Sequence, residues 1–318
     1  MSYFRSARLS TSTVGLVAIL LGVMGCSSAE LGLETAQQCS THTDCPPSQV
    51  CESHSCTATC LTGVLCPVVS EQGIAGSVLV TEHIAANSAE SQVIAQAAFQ
   101  HAESLLTAPK MYFPGSDCVA VPSQQLSLPP GLNLGPIALS GGLTLDDVKS
   151  ASDLGQGTAQ VFPESKENGT VYYADLSQGL RLTPEKTVSA KALGNDSSPH
   201  FEVKVDVPKH FASVQVEPAF VFSGQNYHVQ WTAENAAQVV VQIHGTALSE
   251  GDSVPMTIVC PSRDESGHIT VPKDATAMLA KGPVTVSLIR QNVAHTVDSS
   301  GTFFAKAGFS YSWNTTVK

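Results

Sequence analysis

The chain has 318 residues, 42% of them hydrophobic and only 14% charged, with a formal net charge of −11. That is apolar material enough for real cores, and length enough for two ordinary domains with additions. The acidic balance and the lack of a Lys/Arg cluster exclude nucleic-acid binding through clustered cations and a polybasic hold on anionic lipid.

Taken from the N-terminus, residues 1–25 read as an export signal. Arg5 and Arg8 supply a positive start, and Val14 to Met24 supply an apolar core. That core is too short for a helix spanning a bilayer, which needs about 20 residues. Removing the segment brings the charge near −13, because both arginines leave with it. It ends in "LLGVMGCSS", with Cys26 behind the apolar run. The "VMGC" stretch resembles the lipobox of bacterial lipoproteins, although Met24 stands where that family prefers Ser or Ala. The resemblance implies diacylglycerol on the Cys26 thiol, which becomes the new N-terminus. Acyl chains contribute about 0.8 kcal/mol per buried CH₂, so two or three give an essentially permanent anchor. Ser27, rather than Asp, follows the cysteine, which in enterobacteria-like sorting implies the outer membrane. The rival reading is an ordinary signal peptide whose Cys26 enters a disulfide.

Lipid on Cys26 also settles the parity. The chain has nine cysteines, and one lipidated thiol leaves an even number to pair. Residues 27–38 form a polar tether. Then Cys39, Cys45, Cys51, Cys56, Cys60 and Cys66 fall inside 28 residues that have almost no aliphatic side chains. So small a segment cannot bury a core, and disulfides are expected to replace one in an oxidising compartment. Zinc is the rival reading, with His42 and His54 nearby, but no C-x₂-C pair is present. The six cysteines allow 15 pairings, and spacing does not choose among them. The pattern "DCPPSQVCESHSC" is similar to EGF-like and Dickkopf-type modules. Placed behind a lipobox, it resembles surface lipoproteins of myxobacteria and related soil bacteria. That resemblance implies location and modular display, and it carries no catalytic residue.

From about Glu71 the pattern turns to period two, the mark of half-buried strands. "GSVLVTE", "GPIALSGGLTL", "TAQVF", "GTVYYADL" and "KTVSAKAL" are candidate strands before Pro208. After it, "NYHVQW", "AQVVVQIHG", "PVTVSLIR" and "FSYSW" alternate between turn signals. The alanine content of Ala89 to Leu106 favours a helix. A short helix is expected over Lys273 to Lys281, with Asp274 at its start and Gly282 after its end. The sequence of a Trp-bearing strand (Trp231), an "I-x-C" strand (Ile258 to Cys260) and a D-x-x-G turn (Asp264 to Gly267) resembles the β-sandwich portions of the same lipoprotein group, and it implies an immunoglobulin-like sandwich. Cys118 and Cys260 remain outside the module, and pairing across the body is favoured over two free thiols.

The expected fold is mainly β: a disulfide-rich small module, then two antiparallel β-sandwich (Ig-like) domains with one or two short helices. The expected divisions are signal peptide 1–25, lipidated tether 26–38, cysteine-rich module 39–66, β-rich domain 67–208 and Ig-like domain 209–318.

No nucleophile elbow, H-E-x-x-H or P-loop occurs. The histidines are scattered, and His228 and His268 on or beside strands are expected to be solvated. Asp146-Asp147, without an Asx-rich loop to hold calcium, reads as a solvated turn or helix start, Asp264 to Gly267 as a hairpin turn, and Phe309, Tyr311 and Trp313 as core residues rather than a sugar platform. No catalytic residue, metal site or cofactor is therefore predicted. The expected function is a lipid-anchored envelope protein, an outer-membrane lipoprotein displayed at the cell surface. Its expected partners are the membrane, through Cys26, and a glycan, matrix or another envelope protein, with no nucleic acid. The alternatives are a periplasm-facing scaffold or a hydrolase with its acids on sandwich loops. A deep cleft holding two carboxylates about 5–10 Å apart would favour the hydrolase.

Overall fold

A computed structural model describes residues 49–52, 55–58, 73–86, 91–101, 111–113, 116–122, 131–145, 158–166, 169–176, 180–192, 194, 200–249 and 252–318. Within the cysteine-rich stretch, β1 (Gln49–Glu52) and β2 (Ser55–Ala58) form a hairpin whose backbone register sets Cys51 opposite Cys56. The body follows with β3 (Ile74–Ala85), β4 (Ser91–His101), β5 (Met111–Tyr112), β6 (Val119–Pro122), β7 (Ile137–Ser140), β8 (Leu143–Leu145), β9 (Thr158–Val161), β10 (Pro163–Lys166), β11 (Gly169–Asp175), β12 (Leu180–Leu182), β13 (Thr187–Ala192) and β14 (Phe201–Asp206). After Pro208 come β15 (Val214–Glu217), β16 (Tyr227–Trp231), β17 (Gln238–Ser249), β18 (Asp252–Ser262), β19 (His268–Val271), the single helical turn α1 (Lys273–Thr276), β20 (Gly282–Asp298) and β21 (Gly301–Val317). The protein is mainly β, with several sheets.

One sheet of ten strands runs through the body in the order β10-β11-β4-β3-β21-β20-β17-β18-β6-β5. Strands from both sides of Pro208 belong to it. All its pairs are antiparallel except β3–β21, where the first long strand lies parallel to the last. Smaller sheets cover one face in two places. The four-stranded sheet β14-β13-β7-β9 and the pair β12-β8 enclose a first core with Val78, Val93, Phe99, Leu139, Val188 and Phe201. The three-stranded sheet β15-β16-β19 and α1 enclose a second, with Tyr227, Trp231, Val241, Ile258 and Val271.

The β20–β21 hairpin crosses both. On β20, Val284, Val286 and Leu288 enter the second core, and Ala294 packs against the first. On β21, Phe303, Ala305, Ala307 and Phe309 enter the first, and Trp313 and Val317 the second. Period-two alternation carried over 17 residues per strand makes this bridging possible. The hairpin turns on Ser299-Ser300, and Gly301 follows with φ 156°. A Cβ there would lie 1.8 Å from the Ile74 carbonyl oxygen, so only glycine allows β3 to start beside it.

The helix expected over Ala89 to Leu106 is corrected to a strand, β4. Val93, Ala95, Ala97 and Phe99 alternate into the first core, and β3 and β11 pair along both edges. That burial and those ladder bonds outweigh the helix preference of alanine. The expected helix over Lys273 to Lys281 contracts to Lys273–Thr276, because Leu279 already bridges to Ala247 of β17.

Cys118 and Cys260 are disulfide-bonded, with Cα atoms 4.1 Å apart. Cys118 extends β6, which pairs with β18 at Val119↔Val259, so the bond joins neighbouring strands. It closes a loop of 142 residues. In the chain-entropy picture a loop of that size contributes about 5 kcal/mol. Cys118→Ala/Cys260→Ala is therefore expected to lower the urea midpoint sharply, and dithiothreitol to do the same to the wild type but not to the variant.

Candidate functional site

One concavity among the described residues lies beside the segment that joins β14 to β15. It is an open crevice of about 290 Å³ lined by Glu185, Asp206, Pro208, Lys209, Glu234 and Asn292, among others. Glu185 sits in the β12–β13 turn with φ 61°. Asp206 ends β14, Lys209 follows Pro208, and Glu234 lies in the β16–β17 loop.

These pieces are held by a charge pair beneath them. Arg290 of β20 and Asp264, in the 3₁₀ turn after β18, are both fully buried. Arg290 donates Nε and Nη2 to Asp264 Oδ1 at 3.1 and 2.8 Å. Its remaining donors go to the backbone: Nη1 to the His210 carbonyl at 2.9 Å, and Nη2 to the Thr232 carbonyl. Phe211 lies under the guanidinium at 4.3 Å. Asp264 Oδ2 accepts the backbone N–H groups of Glu234 and Ala236, both at 3.1 Å. The Asp264 carbonyl accepts Trp231 Nε1–H at 3.0 Å. Two positions along β20, Asn292 donates to the Asp206 carbonyl and accepts from Ala237 N–H. Both lips of the crevice are thus set from β20 and the 264–266 turn.

At the mouth, Lys209 Nζ lies 3.5 Å from Glu185 and 3.4 Å from Glu234. Glu185 first, and then Glu234, raise the Lys209 pKa above its ordinary value. The shared ammonium keeps the two glutamate oxygens within about 7 Å of each other. The group is solvent-exposed, so the triad orients side chains more than it stabilises the fold. Asp206 is tied instead to the Thr187 hydroxyl. Among the described residues, no cluster of three His, Cys, Asp or Glu is arranged to hold a metal ion.

The residues singled out from sequence are scattered. Cys26, Cys39, Cys45, Cys60 and Cys66 lie outside the described residues, as do the side chains of Cys51 and Cys56 and the pair Asp146-Asp147. His228 bonds Thr270, and His268 bonds the Ser266 carbonyl, both at the surface. Phe309 is in the first core, while Tyr311 and Trp313 are partly buried. Sequence reading missed the Arg290–Asp264 pair. Its signal was present: Arg290 continues the parity of Val284, Val286 and Leu288, the inward side of its strand. Asp264 to Gly267 does turn the chain, with Gly267 at φ 65°, but its aspartate points inward.

On the opposite face of the large sheet, Lys306 of β21 is buried, and burial pushes its pKa down to about 7. An unfolded lysine keeps its proton to about 10.4. Between those values the unfolded chain binds a proton that the folded one does not, so stability rises with pH across that window and levels off above it. Lys306→Met is expected to be more stable than wild type at pH 7, by up to a few kcal/mol, and the gap should close by pH 10 in urea unfolding. For the buried pair, Asp264→Ala alone or Arg290→Met alone should cost about 3–5 kcal/mol, because each leaves a charge or its hydrogen bonds uncompensated. The double variant Asp264→Leu/Arg290→Met should cost less than the sum of the singles, which a double-mutant cycle measures.

No protein-family model matches the chain, and no curated protein matches it. Among solved structures, a chain from "Structural basis for Dscam isoform specificity" aligns over 76% of this chain and 70% of its own length, at 7% identity and a TM-score of 0.13. A likeness at that level carries no argument.

Proposed function

We propose that the chain is a lipid-anchored cell-envelope protein that presents immunoglobulin-like β-sandwich domains for adhesion or binding and performs no catalysis. The observation that carries this reading is the Cys118–Cys260 disulfide inside the β body, together with the lipobox-like Cys26 ahead of it. A cross-strand disulfide belongs to an oxidising compartment, which the export signal supplies. The cysteine-rich stretch of residues 39–66 then serves as a disulfide-stapled stalk between anchor and body. On this reading the protein sits in the outer membrane, facing the exterior.

A second reading has one observation in its favour. Glu185 and Glu234 approach through the same ammonium at the mouth of the crevice, at a spacing that suits paired-carboxylate hydrolysis. Against it, the crevice is open, and the Lys209 ammonium already bridges the two carboxylates. Glu185→Gln and Glu234→Gln should leave every glycan- and peptide-hydrolysing activity of the purified protein unchanged.

The anchor is tested at Cys26. Intact mass spectrometry of the mature protein is expected to show a chain beginning at Cys26 and carrying two or three acyl chains, while Cys26→Ala is released from the membrane. Protease added to intact cells should shave the wild type. Protection until the outer membrane is breached would place the body in the periplasm and remove surface adhesion.

A further inference from the structure

We draw no further inference here: the strongest candidate, the surface patch near the β10 edge of the ten-stranded sheet where Phe162 and Tyr173 are exposed, carries nothing because nothing in the structure shows what covers it.

Discussion

The Arg290–Asp264 pair is the contact on which the region around Pro208 depends. Each partner is fully buried, and each would be costly alone, since an unpaired charge in a low-dielectric interior cannot be tolerated. Their own attraction does not by itself make up for lost hydration. What completes the balance is the backbone around them. The guanidinium reaches carbonyls in the 207–213 segment and the loop after β16, and the carboxylate collects two N–H groups from the same loop. The pair thus fixes conformations that hydrophobic burial alone leaves open. Loops without apolar side chains gain a defined course because their polar backbone groups have one set of partners.

The long hairpin plays the corresponding part for apolar contacts. β20 and β21 each pass from one core to the other, so neither core closes without strands that complete the other. The parallel pairing of β3 with β21 brings the first long strand of the body beside the last. Cys118–Cys260 then ties β6 to β18 at the far side of the same sheet. Contacts of such long sequence separation make slow folding the expectation, because loop-closure entropy must be met before the distant strands pair. Oxidation of the Cys118 and Cys260 thiols to that disulfide cuts the entropy of the open chain.

The surface divides along chemical lines. At the mouth of the crevice one ammonium, Lys209, is shared between two carboxylates, Glu185 and Glu234. Near the β10 edge the rings of Phe162 and Tyr173 are exposed. The first is best understood as a consequence of how two loops are pinned. The second has no such internal explanation, since exposed rings contribute little to either core.

The sequence by itself determined the mainly β class of fold. Alternation of apolar and polar residues is local, so the strands from "GSVLVTE" to "FSYSW" could be read directly. Alanine misled at β4, because helix preference is local while the ladders that overrule it come from β3 and β11. The tertiary structure alone decided which strands share the large sheet, that Cys118 meets Cys260, that Arg290 meets Asp264 across 26 residues, and that Phe162 and Tyr173 stay outside while Phe309 goes in. Each of these depends on register and on which face a neighbouring layer covers. Period two marks two faces for every strand, and only packing against the other layers settles which of them is buried.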